Sequence, residues 1–181
     1  MIKIGILGDI GSGKSYVARK FGYPVFNADQ EVAKLYQQNK NVYINLKKTL
    51  PKYIYSFPIE KLEISNAILA NKHNLNKIVK IVHSEIRKKM NIFFNKYKNK
   101  KIVILDIPLL LENKINKKKD ILVFVQSKQS EILKRLKKRK NFKNIQYLAD
   151  YKKKKSDFII KNDFTKKTVN NAINKILKEI I

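Results

Sequence analysis

The chain has 181 residues and a net charge of +27, because 41 lysine and arginine residues face only 14 aspartate and glutamate residues. It contains no cysteine, which excludes a disulfide framework and a cysteine-based zinc site, and its 44% hydrophobic content excludes a compositionally disordered chain. No apolar stretch approaches the roughly 20 residues that span a bilayer, and the N-terminal apolar run is too short for a signal peptide, so we expect a cytoplasmic protein with no membrane partner.

The positive charge is compatible with two kinds of protein. One is a nucleic-acid-binding protein, since lysine and arginine supply contacts to phosphates. The other is a lysine-rich chain whose basic residues are mostly solvated. The basic residues are dispersed through almost every segment, and no aromatic–basic interleaving of the RNA-binding kind occurs, which favours the second interpretation. We therefore expect no specific nucleic-acid partner, but a field that attracts polyanionic small substrates such as nucleotides.

Short apolar runs alternate with helical spacing over the first 57 residues. The run at 3–7 ends at a glycine and is typical of a buried strand. The segments that follow are a helix over 14–21, a strand over 24–26, a helix over 28–36, and a polar, lysine-rich segment over 37–57 that Pro51 and Pro58 interrupt. We interpret this last segment as a mobile or peripheral helical region.

From Ile59 the spacing is helical before it returns to buried strands. One predicted helix face carries apolar residues three and four positions apart: Leu75, Ile78, Val79, Val82, Ile86, Met90 and Phe93. Strands are predicted at 102–105, ending at Asp106, then at 121–125 and 158–160, with a helix at about 127–139. A final helix would bury Val169, Ala172, Ile173, Ile176, Leu177 and Ile180. This alternation predicts an α/β fold whose parallel sheet is covered on both faces.

A phosphate-binding loop is predicted between the first strand and the first helix. The segment from Gly8 to Ser15 fits the pattern Gly-x4-Gly-Lys-Ser, in which glycines let backbone N–H groups wrap around phosphates. Lys14 would reach the β- and γ-phosphates, and the Ser15 hydroxyl would bind Mg²⁺. We therefore predict ATP and Mg²⁺ as cofactors, and ATP binding by Asp9, Ile10, Gly11, Ser12, Gly13, Lys14, Ser15 and Tyr16. The loop alone does not indicate the second substrate.

Further segments follow the order and spacing of one family. After the loop come Pro24-Val25-Phe26-Asn27-Ala28-Asp29, Ile81-Val82-His83, Leu105-Asp106-Ile107-Pro108-Leu109-Leu110-Leu111-Glu112, Arg135 to Arg139, Gln146 with Lys152, and Ser156 to Asn162. Together these segments resemble the dephospho-CoA kinase family over nearly the whole chain. The segment that begins at Asp106 is the most specific part, because many families share the loop.

The resemblance implies both a fold and a reaction. The fold would be a three-layer α/β/α P-loop NTPase fold with a five-stranded parallel sheet, with a core at 1–30 and 100–181. A helical substrate-binding subdomain would occupy about 31–99, and a short lid about 139–152. The enzyme, expected to be a monomer, would transfer the γ-phosphate of ATP to the 3′-hydroxyl of dephospho-CoA, the last step of coenzyme A biosynthesis.

The resemblance also implies roles for individual residues. Asp29 would be the general base, and Lys14 and Arg139 would complete the catalytic set. Substrate binding would fall to Asp29, His83, Asp106, Pro108 and Leu109, and the metal site to Ser15 and Asp106. The residue types alone also allow structural roles: an N-cap for Asp29, a helix flank for His83, and a solvated helix surface for Arg139.

Some positions depart from the pattern of the family. Asn27 stands where the family usually has aspartate, Leu7 where it often has threonine, and Asp9 where it often has glycine, and the segment between Arg139 and Gln146 is shorter. Three alternatives stay open. One is another small P-loop kinase that acts on a nucleotide or metabolite, and the second is a basic nucleic-acid-binding protein. The third is an inactive member of the family, because of Asn27 and the shorter lid.

Overall fold

Five short strands lie side by side in one parallel sheet. The computed structural model describes residues 1–107, 110, 119–136 and 152–181. Within these residues the strands are β1 (Ile2–Gly8), β2 (Val25–Asn27), β3 (Ile102–Asp106), β4 (Ile121–Gln126) and β5 (Phe158–Lys161), in the order β2-β3-β1-β4-β5. Every pairing between neighbours is parallel, so all the carboxyl ends meet at one edge. The predicted five-stranded parallel sheet is confirmed.

Apolar side chains cover both faces of this sheet. The helices α1 (Lys14–Lys20) and α7 (Lys166–Ile180) contribute to one core cluster with alternate strand residues: Ile4, Ile6, Val17, Ala18, Phe21, Ile102, Ile104, Val123, Val125, Ile160, Val169, Ile173 and Ile176. The intervening strand residues Val103, Leu105 and Phe124 are also buried. A continuous apolar run is therefore the natural sequence of a central parallel strand. A further helix, α6 (Gln129–Leu136), follows β4.

The chain divides into two compact units. The sheet unit contains 1–27 and 97–181, and the helical unit contains 28–96. The helical unit consists of α2 (Ala28–Gln38), α3 (Lys40–Thr49), α4 (Lys61–Ala70) and the 25-residue α5 (Lys72–Lys96), which contacts the other three. None of the described helices is both long and apolar enough to cross a bilayer.

The segment predicted to be peripheral is packed into the helical unit. Residues 40–49 form α3, whose start is capped by the Asn39 side chain, since its oxygen accepts a hydrogen bond from the Val42 N–H at 3.0 Å. Val42 and Leu46 are fully buried. Their four-residue spacing makes a narrow apolar stripe that the surrounding lysines obscure in the sequence. The predicted helical character of this segment is therefore confirmed by α3, whereas the expectation of a peripheral position was wrong.

The predicted apolar face of α5 is correct at its centre and wrong at its start. Ile78, Val82 and Ile86 are buried, whereas Leu75 is 42% exposed. Asn74 is buried in its place, because its side-chain N–H donates to the Ala67 carbonyl at 2.8 Å and so links α4 to α5. The buried position between α4 and α5 is therefore occupied by an amide whose hydrogen bond is made, as is usual for buried polar groups.

Candidate active site

Two glycines shape the loop between β1 and α1. Gly8 has φ 143°, and a Cβ there would stand 2.5 Å from the Val125 carbonyl oxygen. Gly13 has φ 91°, and a Cβ there would collide with the side-chain amide of Asn162. Both positions require glycine for conformation and for space. The strand–loop–helix context predicted for the segment 8–15 is confirmed.

The Lys14 ammonium lies inside the loop. It donates hydrogen bonds to the Asp9 carbonyl at 2.6 Å and the Gly8 carbonyl at 3.1 Å. The loop thus holds a positive charge at the N-terminus of α1, where the helix dipole and the first backbone N–H groups also favour an anion. This combination suits a polyphosphate.

The other predicted ATP-binding residues differ in exposure. Ile10 is exposed, Ser12 is fully buried, and Ser15 is half-buried in the first turn of α1. Tyr16 packs partly against the core, with the Lys20 ammonium 5.5 Å from its ring centroid. Side-chain contacts to a nucleotide are therefore open to Lys14 and Ser15, whereas Ser12 would contribute through its backbone.

Two residues that sequence reasoning did not assign hold the loop from behind. The Ser12 carbonyl accepts hydrogen bonds from the Asn162 side-chain N–H at 2.8 Å and the Ser127 hydroxyl at 3.0 Å. Ser127 follows β4 and Asn162 follows β5, and the last residues of these strands, Gln126 and Lys161, pair in register. Polar residues directly after adjacent parallel strands were the signal that could have identified them. Both also line a cavity of about 270 Å³ at this edge.

Asp106 is the last residue of β3, which lies beside β1 on the side opposite to β4. It is 4% exposed, and it accepts a hydrogen bond from the Asn27 side-chain N–H at 2.5 Å. Asn27 and Asp106 are register partners, and Gly5 of β1 pairs with Leu105. The carboxylate is therefore at the carboxyl edge of the sheet, on the strand next to the one that leads into the loop. The neutral amide of Asn27 satisfies this carboxylate, whereas an aspartate there would repel it.

Mg²⁺ is compatible with this donor set. Asp106 and Ser15 offer oxygen atoms, which Mg²⁺ prefers, and kinase sites complete the coordination with substrate phosphates and water. A group of three or more acidic, histidine or cysteine side chains that could hold a metal does not occur among residues 1–107, 110, 119–136 and 152–181. A site of one carboxylate and one hydroxyl does not need such a group.

Asp29 and His83 belong to the helical unit. Asp29 is an exposed residue in the first turn of α2, two residues after β2 ends. The helix begins at Ala28, which places Asp29 in its first turn. His83 is half-buried on α5, and burial, followed by the positive charge of Arg87, lowers its pKa below the ordinary value of 6.5.

Three predicted site residues lie outside the described part of the chain. They are Pro108, Leu109 and Arg139. The predicted lid at 139–152 also lies outside the described residues, except for Lys152. Within the described residues, the sheet unit brings together the loop, Asp106 and Asn27 at one edge. The arrangement can bind a polyphosphate and a divalent cation.

Known proteins resemble this chain over most of its length. The family model for dephospho-CoA kinase matches residues 2–168. The dephospho-CoA kinase of Wolbachia pipientis wMel is 32% identical over 189 aligned positions, which cover 98% of this chain and 97% of that protein.

Solved structures show the same fold. A crystal structure from Thermus thermophilus aligns with a TM-score of 0.75 and 24% identity, covering 99% of this chain and 98% of that one. A dephospho-CoA kinase from Campylobacter jejuni aligns with a TM-score of 0.65 and 21% identity, covering 98% and 96%. These neighbours confirm the predicted α/β fold.

Proposed function

Because the chain belongs to the dephospho-CoA kinase family, we propose that it transfers the γ-phosphate of ATP to the 3′-hydroxyl of dephospho-CoA. The products are coenzyme A and ADP, in the last step of coenzyme A biosynthesis. The observation that carries this proposal is the family match over residues 2–168, which includes the phosphate loop, the Asp106 strand and the whole helical unit.

The loop and its neighbours form the ATP half of the proposed site. Backbone N–H groups from Asp9 to Tyr16 would surround the phosphates, and the Lys14 ammonium would move from its loop carbonyls to the β- and γ-phosphates. Ser15 and Asp106 would hold Mg²⁺, which supplies charge neutralisation between the phosphate oxygens. The chemistry then needs mainly alignment of the two substrates and stabilisation of charge.

Acceptor activation is assigned to Asp29. Its exposed carboxylate is two residues beyond the edge strand that carries Asn27, and it would accept the proton of the 3′-hydroxyl as the phosphoryl group transfers. We assign His83 to contact with dephospho-CoA, as a neutral imidazole near pH 7, because its pKa is lowered. Asp106, Pro108 and Leu109 would complete the wall of the acceptor site.

Arg139 is proposed to stabilise the transferring phosphoryl group. A planar guanidinium matches phosphate oxygens in a bidentate manner, which a lysine does not. The helical unit would act as the substrate-binding subdomain and the segment 139–152 as the lid. We further propose that the enzyme is cytoplasmic and monomeric; the oligomeric state is checked by light scattering coupled to gel filtration.

An acceptor panel tests the proposal against another small P-loop kinase. Release of ADP from ATP and Mg²⁺ is measured with dephospho-CoA, nucleoside monophosphates and shikimate at equal concentrations. The proposal predicts turnover with dephospho-CoA and only background release with the others. Turnover of a nucleoside monophosphate without turnover of dephospho-CoA would overturn the proposal while leaving the ATP site in place.

A further inference from the structure

One peptide group of the loop, between Ser12 and Gly13, is held from two directions. Its carbonyl oxygen accepts the Asn162 side-chain N–H at 2.8 Å and the Ser127 hydroxyl at 3.0 Å. The donors are 150 and 115 residues from Ser12 along the chain and follow two different strands.

The direction of this carbonyl fixes the direction of an N–H group. In a planar trans peptide the C=O and the following N–H point in opposite directions. Since the Ser12 carbonyl points towards Asn162 and Ser127, the Gly13 N–H points away from them. Gly13 caps α1 in the left-handed region, at φ 91° and ψ 20°, so it is the last residue before the helix. Its N–H is one of the group that binds phosphate in a loop of this kind.

Asn162 is itself held in one orientation. Its side chain is 3% exposed, and its oxygen accepts a hydrogen bond from the Phe164 backbone N–H at 2.9 Å. The amide nitrogen must then face the Ser12 carbonyl, because the opposite assignment would bring two acceptors together and leave the Phe164 N–H facing a donor. The absence of a side chain at Gly13 leaves the space that this amide occupies.

We propose that Asn162 is a positioning residue that sets the phosphate affinity of the loop by orienting the Ser12–Gly13 peptide. Ser127 supports the same carbonyl as a second donor. Asn162 acts through the backbone of the loop. The inference rests on the proposed function only in taking ATP as the ligand of the loop.

The variant Asn162→Asp removes the side-chain donor. It keeps an oxygen for the Phe164 N–H and replaces the nitrogen that faces Ser12 with a second acceptor, so the Ser12 carbonyl is repelled. We expect the Kd for ATP, measured by calorimetry, and the KM for ATP to rise about tenfold or more. The KM for dephospho-CoA should stay within about twofold of that of the wild type.

Two further variants complete the design. Asn174→Asp makes the same change of an amide to a carboxylate on an exposed position of α7, and should leave the Kd for ATP unchanged. Ser127→Ala removes only the second donor, and should raise the Kd for ATP about threefold. Because Ser127→Ala deletes a single hydroxyl, it is expected to fold and also serves as the test if Asn162→Asp does not fold. In that case, an unchanged Kd for ATP in Ser127→Ala overturns the proposal.

The results that would refute the positioning role of Asn162 differ from those that would refute the proposed function. A folded Asn162→Asp protein that binds ATP as tightly as the wild type overturns the positioning role. So does an equal rise of the KM values for both substrates together with a matching loss of thermal stability, because a purely structural residue would produce that pattern. A wild-type protein that binds ATP but does not phosphorylate dephospho-CoA refutes the proposed acceptor and leaves the binding test intact.

Discussion

A carboxylate that removes a proton from an alcohol must be accessible, and Asp29 is exposed in the first turn of α2. A base of this type contributes by accepting the proton as the phosphoryl group transfers, and it is not needed to bind ATP. Its loss should therefore separate catalysis from nucleotide binding.

The variant Asp29→Asn should lower kcat by about 10²–10⁴-fold and leave the Kd for ATP within about twofold. Glu31→Gln, which removes a carboxylate from the same turn, is the matched control and should keep nearly full activity. Steady-state kinetics and calorimetry measure the two quantities. If Asp29→Asn retains wild-type kcat, Asp29 has a structural role only.

His83 should make stability depend on pH. Burial and Arg87 lower its pKa in the folded protein, so the unfolded chain binds more protons between pH 6.5 and that lowered value. The free energy of unfolding should therefore be constant above pH 6.5 with respect to this group and fall as the pH drops below it. Urea unfolding of His83→Gln should show a shallower decline than the wild type over the same range; identical slopes would contradict the assignment.

The start of α7 is stabilised by a local set of hydrogen bonds. The Thr165 hydroxyl oxygen accepts from the Thr168 N–H at 3.3 Å, and the Asp163 carboxylate accepts from the N–H and hydroxyl of Thr165 and the hydroxyl of Thr168. The Thr165 N–H, followed by the Thr168 and Thr165 hydroxyls, holds the pKa of Asp163 below 3.8. The stability that the hydrogen bonds of Asp163 contribute is therefore present above pH 3.8 and is lost as the pH falls through the lowered pKa.

Thr165→Ala should reduce the free energy of unfolding by about 1 kcal/mol, because the first turn of α7 loses a side-chain acceptor. Thr49→Ala removes a threonine from the end of α3 that does not cap an N-terminus, and should change it by less than about 0.5 kcal/mol. Urea unfolding at pH 7 compares the two variants. Equal losses would show that the cap does not stabilise α7.

Secondary structure was predictable where one physical pattern dominates. The runs at 102–105 and 121–125 are apolar throughout, and the central strands β3 and β4 are buried on both faces. Errors arose where the pattern was narrow or local chemistry competed. The apolar stripe of α3 has few residues and is surrounded by lysines. Asn74 is buried instead of Leu75, because its side-chain amide donates a hydrogen bond to the Ala67 carbonyl. Propensity does not carry such tertiary information.

The charge of the whole molecule has its own testable consequence. Lys34, Lys88 and Lys134 each form an ion pair with a glutamate three residues away in the same helix. The charges of these exposed lysines therefore interact locally. A dispersed positive charge binds duplex DNA by counterion release, so the affinity depends steeply on salt. Fluorescence anisotropy should detect binding at about 20 mM salt and none at about 150 mM. Tight binding at the higher salt would support a specific nucleic-acid site instead.

The site was predictable only in part, because its contacts cross the whole chain. The Gly8–Ser15 motif carries its own context, so the loop could be located in the sequence. The contacts of Asn27 with Asp106 and of Asn162 with Ser12 depend on strand order and register, across 79 and 150 residues. The resemblance, rather than periodicity, identified the family, which the family match confirms. The roles of individual residues stay predictions.

The position of the transferred phosphate is the direct test of the proposed reaction. The protein is incubated with ATP, Mg²⁺ and dephospho-CoA, and the product is purified and examined by phosphorus and proton NMR. We expect one new phosphomonoester, coupled to the proton at the 3′ carbon of the ribose, and spectra identical to those of authentic coenzyme A. A phosphate at any other position, or recovery of unmodified dephospho-CoA with a protein that binds ATP, would contradict it.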